Sequence, residues 1–325
     1  MITSRMVKVG LSAALAMAWL QPAAAQTNYP TKPIRVIVPF GPGGVADVTA
    51  RLVAQGLNEK LGQSLIVENM PSAGGISAAQ NFLRAPADGY TLFIVNNQNA
   101  VSPSLFKNLP YDPVKQFSMI SMVGEFDLVV AVDKASPHKN LQDMLKAAHA
   151  NPDRFNIATI AVGSTQHLSS EMFRAAAKVE SPTIPFKSSG EVITAVRGGN
   201  ADVLFETLPA VIGNLKSGDL RALAFTAAKR NPQFPDVPTV DESGVKGYAA
   251  SSWNGFAAPV GTPKEVIEKL NTAIREVVAD PSYNKRLVDI GMQPRTNSPE
   301  EFHAFLQDEI KKWNKVIVDA KIPQQ

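Results

Sequence analysis

The chain has 325 residues, 45% hydrophobic and 19% charged, with a formal charge of +3, 4 histidines and no cysteine. This composition is globular, which excludes a disordered or membrane-embedded chain, and the length allows two domains. Without cysteine there is no disulfide, thiolate chemistry or lipid-anchored N-terminal Cys, and a charge this small argues against nucleic acid as a partner.

Arg5 and Lys8 precede the apolar run Gly10 to Leu20, which ends in Ala23-Ala24-Ala25. This pattern predicts a signal peptide at 1–25, cleaved after Ala25, and a periplasmic product. Cleavage removes two basic residues and no acidic one, so the formal charge falls from +3 to +1. The signal has no arginine pair, which favours export in the unfolded state without a preloaded cofactor, and none is expected.

Ile34 to Val38 is an apolar, β-branched run that predicts a strand buried on both faces. Pro39 ends it, and Phe40-Gly41-Pro42-Gly43-Gly44 leads into a helix with Asp47 in its first turn. A strand, a glycine turn and a helix start leave backbone N–H groups available to an anion. Ser64 to Glu68 predicts a second strand, followed by the glycine turn at 71–77, which includes Ser77, and a helix over Ile76 to Arg84. Tyr90 to Val95 predicts a third strand, ending in the loop Asn96-Asn97-Gln98-Asn99. Strands alternating with helices imply a parallel sheet whose function gathers at the strand C-termini. Loops 40–47, 71–77 and 96–99 are therefore the candidates.

Phe126 to Val132 is strand-like, and Asn140 to His149 is helical with Asn140 as its cap. Phe155 to Ile160 predicts a strand, after which Gly163-Ser164-Thr165-Gln166-His167 leads into a helix and repeats the opening logic. Strands at Ser181 to Phe186, Asp202 to Phe205 and Leu220 to Thr226 alternate with helices near Glu191 to Arg197 and Pro209 to Lys216. Residues 229–247, rich in proline and glycine, connect to a strand at Ser252 to Ala258 that returns to the first half. Thr262-Pro263-Lys264-Glu265 and Ser298-Pro299-Glu300-Glu301 both read as capping boxes, and Asp280-Pro281 starts a helix between them. The pattern favours two α/β lobes about a cleft, with 26–126 plus 252–325 as lobe I and 127–251 as lobe II.

Three chemistries compete for these loops. Gly41 to Ala46 fits G-x-G-x-x-A, with Glu68 about twenty residues on, but export and the N–H lost at Pro42 argue against a dinucleotide. Ser164 and His167 suggest a secreted serine hydrolase, yet no G-x-S-x-G elbow surrounds Ser164, and a capping Ser explains it equally. The histidines lack metal-ligand spacing. Loops 40–47, 96–99 and 163–167 hold no Lys or Arg, only glycine, hydroxyls and amides. They suit an anion held by backbone N–H groups and two helix N-termini, with Glu206 near the same cleft.

The motifs then resemble one family, the substrate-binding proteins of tripartite tricarboxylate transporters, often called the Bug family. The resemblance is carried by Tyr29–Asp47 (YPTKPIRVIVPFGPGGVAD), Ala87–Leu92 (ADGYTL), Ser102–Phe106 (SPSLF) and G-S-x-x-H-L at Gly163–Leu168. It continues through Leu220–Thr226, Phe234–Gly244 and W-x-G-x-x-A-P at Trp253–Pro259. It implies a type II periplasmic-binding-protein fold, a monomer that closes on one small organic acid, and membrane subunits of a transporter as partners. A ligand-sensing role for a signalling partner is the alternative to transport. Carried over, the site comprises Phe40, Gly43, Gly44 and Asp47 with Ser164, Thr165 and His167. Gly163, Ser77, Asn97 and Glu206 complete the candidate set. Ser77 follows SAGGI where relatives often have a GAGG-type turn and Asn, and Glu206 stands where Asp is frequent. Phe40 could face an aromatic ligand, while Trp253 is assigned to the core.

Overall fold

The computed structural model describes residues 28–319 and 322–325, so the signal peptide and its cleavage site lie outside the described residues. In the first half, β1 (Ile34–Val38), α1 (Val45–Leu61), β2 (Leu65–Asn69), α2 (Ile76–Leu83) and β3 (Thr91–Asn96) form two parallel crossovers. α3 (Asn97–Leu105) and the short α4 (Pro113–Gln116) lead into β4 (Phe117–Asp133). Next come α5 (Leu141–Ala150), β5 (Ile157–Ile160), α6 (Thr165–Ala177), β6 (Thr183–Phe186), α7 (Ser189–Arg197) and β7 (Val203–Thr207). The remainder is α8 (Leu208–Lys216), β8 (Leu220–Phe225), β9 (Ser251–Pro259), α9 (Lys264–Ala279), α10 (Pro281–Asp289), β10 (Met292–Pro294) and α11 (Pro299–Asp319).

The strand order is β2-β1-β3-β9-β4-β7-β5-β6. The three first-half strands pair in parallel as expected, and the sheet as a whole is mixed. β9 runs antiparallel to both β3 and β4, with Phe93 opposite Ala257 and Ser118 opposite Ala258. β4 is also much longer than the predicted 126–132, because its polar residues Ser118 and Ser121 break the apolar run without breaking the strand. Its first part, Phe117–Asp127, pairs with β9, and Leu128–Asp133 pairs with β7 and β8. Two chain segments, β4 and the entry to β9, thus connect two sheet regions whose helices start on the same side.

Local chemistry explains most elements. α1 buries Ala46, Ala50, Val53 and Leu57 at helical spacing and stops at Gly62, whose φ of 66° gives a left-handed cap. Gly56 is packed so close to α9 that an added Cβ would meet the Val277 side chain at 2.5 Å. α11 docks through Phe302, Leu306, Trp313 and Ile317, all at most 4% exposed. Each such residue contributes roughly 1.5–3 kcal/mol of burial. Trp253 is 1% exposed, with rings of Phe302 and Phe305 edge-on at 5.5 and 5.3 Å, as expected of a core residue. The box at Ser298 forms: the Glu301 N–H donates to Ser298 Oγ, and the Ser298 N–H donates to Glu301 Oε2. The box at Thr262 does not, because Thr262 Oγ1 donates to the Pro259 carbonyl and Pro263 occupies the cap. Among the described residues no helix is long and apolar enough to cross a membrane.

Candidate functional site

A cavity of about 400 Å³ opens where the helix starts of the two halves face each other. On the first-half side it is lined by the segment Phe40 to Ala46 and by Asn96 and Gln98; on the other by Ile160, Ser164, Thr165 and Gln166. Lys187 to Gly190 and Thr207 complete the second wall, and Phe126, Ser252 and Asn254 belong to the connecting strands.

The glycine turn is braced from behind by Asp47, which is 4% exposed. The Gly43 N–H donates to Asp47 Oδ2 at 2.9 Å, while Arg51 Nε and Asn69 Nδ2 each donate to Oδ1 at 2.9 Å. Asn69 also donates to the Phe40 carbonyl at 3.0 Å, which pins the turn at its other end. Burial alone would raise the Asp47 carboxyl, but the donors Arg51, Gly43 and Asn69 outweigh it and hold it below the usual range. Gly43 has φ +81°, a conformation that side chains disfavour, so the turn needs glycine there for its backbone. The Gly43 amide is therefore committed within the protein, contrary to its expected role as an anion donor. The first-turn amides Val45 and Ala46 have no intrahelical acceptor and line the cleft.

On the other wall Ser164 caps α6. Its Oγ accepts from the His167 N–H at 3.1 Å and donates to the Ile160 carbonyl at 3.1 Å. The His167 ring is turned away, with Nδ1 accepting from the Gly163 N–H at 3.5 Å. Burial lowers the His167 pKa, which favours the neutral ring. No Ser–His ring pair exists here, which removes the geometric basis of the hydrolase alternative. Thr165 Oγ1 takes a hydrogen bond from Asn97 Nδ2 at 3.1 Å and lies 3.1 Å from Ser252 Oγ. Those three side chains join α3, α6 and β9 across the cleft. Asn97 Oδ1 is buried without a partner.

Glu206, 0% exposed at the end of β7, does not line the cavity. It sits behind the second wall and organises it. Its Oε1 accepts from Ser189 Oγ at 2.7 Å, and its Oε2 accepts from Gln166 Nε2 at 3.0 Å and from the Thr207 N–H and Oγ1 at 2.6 and 3.2 Å. Burial pushes this carboxyl above its ordinary range against the opposing pull of those hydrogen bonds. Among the described residues it has no ion-pair partner within 4.0 Å.

Of the residues selected from sequence, Phe40, Gly43, Gly44, Ser164 and Thr165 line the cavity, while Asp47, Asn97, His167 and Glu206 lie behind it. Gly163 (φ +82°) packs so that an added Cβ would meet Leu105 at 2.8 Å. Ser77, in the first turn of α2, is exposed and does not line the cavity, so it is corrected out of the wall. The loop expected at 96–99 is the start of α3. Asn96 caps it by accepting from the Gln98 N–H, and the Asn99 side chain accepts from the Asn96 N–H. The second wall also brings in Lys187, so the site is not free of cations as expected. Lys187-Ser188-Ser189-Gly190-Glu191 was missed, although its S-x-x-E signature was legible: the Glu191 N–H donates to Ser188 Oγ. Gln166, Thr207, Ser252 and Asn254 carried no such signal, because only the fold brings them together.

Among the described residues five helices of eight or more residues (α1, α3, α6, α7 and α8) begin at this cavity, their N-caps lining it, which sets the positive ends of their dipoles on that side. Two α/β lobes, a cleft between them and helix starts converging on that cleft define a solute-binding protein of the type II periplasmic-binding class. Comparison with known proteins gives the family. Residues 49–322 match the model of the tripartite tricarboxylate transporter family receptor, and the chain belongs to that family. BugT of Bordetella pertussis is 35% identical over 298 residues, covering 91% of each chain. A Rhodopseudomonas palustris protein solved with adipate superposes with a TM-score of 0.87 at 33% identity, over 91% of this chain and 99% of that one. MatC from the same organism, solved with bound malate, gives 0.83 at 30% identity over 89% of this chain and 100% of that one. The Bug-family resemblance thus holds, and the protein is a periplasmic solute-binding receptor of the tripartite tricarboxylate type.

Proposed function

We propose that this receptor closes as a monomer on one small carboxylic acid and presents it to the membrane subunits of its transporter. The carrying observation is the convergence of five helix N-termini, with hydroxyl and amide side chains, on a cavity with one basic residue in its described walls, Lys187. Each helix start is worth about 0.3–1 kcal/mol toward an anion and up to about 2 kcal/mol when partly buried. The lobe boundaries that fit this reading are 26–126 plus 252–325 and 127–251, joined at Asp127 in β4 and Ser251–Ser252 in β9. Bound adipate and malate in relatives support a ligand of this size. Export with cleavage after Ala25 belongs to the same reading.

The test is thermal unfolding of the mature protein against a panel of di-, hydroxy-, amino and aromatic acids. A ligand at a hundred times its dissociation constant adds about 2.7 kcal/mol. At roughly 2–4 °C per kcal/mol for a chain of this order, the midpoint rises by roughly 5–10 °C. A panel with no shift, repeated after unfolding and refolding to strip any retained ligand, defeats the reading. Loss of uptake of the ligand on deletion of the gene separates transport from sensing.

A further inference from the structure

Glu206 determines which atoms the cleft can offer. The Thr207 N–H donates to Glu206 Oε2 at 2.6 Å, which makes that oxygen an acceptor whether or not the acid carries a proton, so any side chain that faces it does so as a donor. Gln166 must therefore turn Nε2 to Glu206, and its Oε1 is directed elsewhere, whatever the initial assignment of the amide. Ser189 and Thr207 likewise give their hydroxyl protons to Glu206, at 2.7 and 3.2 Å. Gln166, Ser189 and Thr207 all line the cavity. Among the described residues no donor reaches Gln166 Oε1, Ser189 Oγ or Thr207 Oγ1. A wall that otherwise offers amide and hydroxyl donors thus carries a patch of acceptors, in front of a buried acid with no cation paired to it among the described residues.

We propose that the ligand is a carboxylic acid bearing a hydrogen-bond donor, hydroxyl or ammonium, on its carbon chain. Gln166 and Ser189, held by Glu206, are the groups that select it. The inference rests on the carboxylate-receptor reading and adds the substrate class. A plain aliphatic diacid would strip water from these acceptors and return no hydrogen bond, leaving polar atoms unpaired. A site built to hydrogen-bond a ligand hydroxyl rejects the analogue that lacks it far more strongly than an apolar pocket rejects one methylene.

The experiment is titration calorimetry on the mature protein with two matched series: succinate, malate and aspartate; glutarate, 2-hydroxyglutarate and glutamate. The expected result is that, in at least one series, the hydroxy or amino acid binds tenfold or more tighter than the plain diacid; which of them leads distinguishes hydroxyl from ammonium. A plain diacid that binds as tightly as its substituted partners overturns the inference and leaves the receptor reading standing. No binding by any of the six, with binding of an acid that has no donor on its chain in the wider panel, overturns the inference and again leaves the receptor reading standing. Ser189→Ala removes one acceptor and should narrow the preference of the substituted acids over the plain diacid at least threefold. A uniform loss across all ligands would assign Ser189 a structural role and overturn its part in selection.

Discussion

Two carboxylates stand behind the two walls of this cleft, in opposite electrostatic settings. Asp47 braces the first-half glycine turn while paired to Arg51 at 2.9 Å, and its pKa is lowered. Glu206 braces the second wall with neutral donors alone, fully buried, and its pKa is raised. Both hold the cleft side chains and amides in place, so the loops themselves need not carry charge. The difference is what each leaves facing the ligand. Asp47 occupies a backbone N–H and leaves the amides beyond it open, whereas Glu206 occupies side-chain donors and leaves acceptors open. The first wall is built for an anion; the second also accommodates a donor.

The largest expected effect comes from breaking the turn that Asp47 holds. Gly43→Val places a β-branched residue at φ +81°, a strain of about 1–3 kcal/mol. Open space around its Cβ lets the fold survive while the turn relaxes, so affinity for the cognate acid should fall at least tenfold. Gly44→Ala is the control: its φ is −75° and an added Cβ meets only Gly41 O at 3.8 Å, so stability should stay within about 0.5 kcal/mol. Equal damage from both would refute the backbone argument.

A smaller effect is expected at the second wall. Ser164→Ala deletes the α6 cap and should cost about 1 kcal/mol by denaturant unfolding. An acyl or phosphonate probe should leave Ser164 unlabelled in the unsubstituted protein, and labelling there would revive a hydrolase.

The pH dependence of unfolding tests the contrast between the carboxylates, with the smallest shifts. Asp47 has a depressed native pKa, so its stabilisation is complete above the ordinary value of about 3.9 and is lost as pH falls through the native value. Glu206 has a raised native pKa, so the native state holds more protons than the unfolded one above about 4.3. Its contribution to stability therefore declines as pH rises from there through the raised value. Asp47→Asn should flatten the acid limb of the melting profile, and Glu206→Gln should flatten the decline on the other side. Slopes that change in the same direction for both variants would contradict the assignment.

Much of this was legible in the sequence. The apolar run Ile34–Val38, the glycine turn after it, the Ser164 cap and the box at Ser298 each depend on neighbours within a few residues, so spacing alone located them. The match of ordered motifs along the chain was enough to place the family. The start of α3 was not legible, because Asn96 to Asn99 are weak helix formers and Pro103 lies inside the helix. Its capping side chains and complete burial decide the matter instead.

What only the tertiary structure decided is which way each polar group faces. Asp47 looked like a ligand contact by position, yet it turns to Gly43, Arg51 and Asn69, the last of them 22 residues away. Glu206 was expected near the ligand and instead gathers Gln166 and Ser189 from two other helices, at separations of 40 and 17 residues. Lys187 reached the cleft because β6 and β5 pair in parallel, which sets the start of α7 beside that of α6. Periodicity records which residues are buried, whereas the partner of a buried charge is a fact about packing between distant segments. The donors and acceptors left facing the cleft follow from those partners.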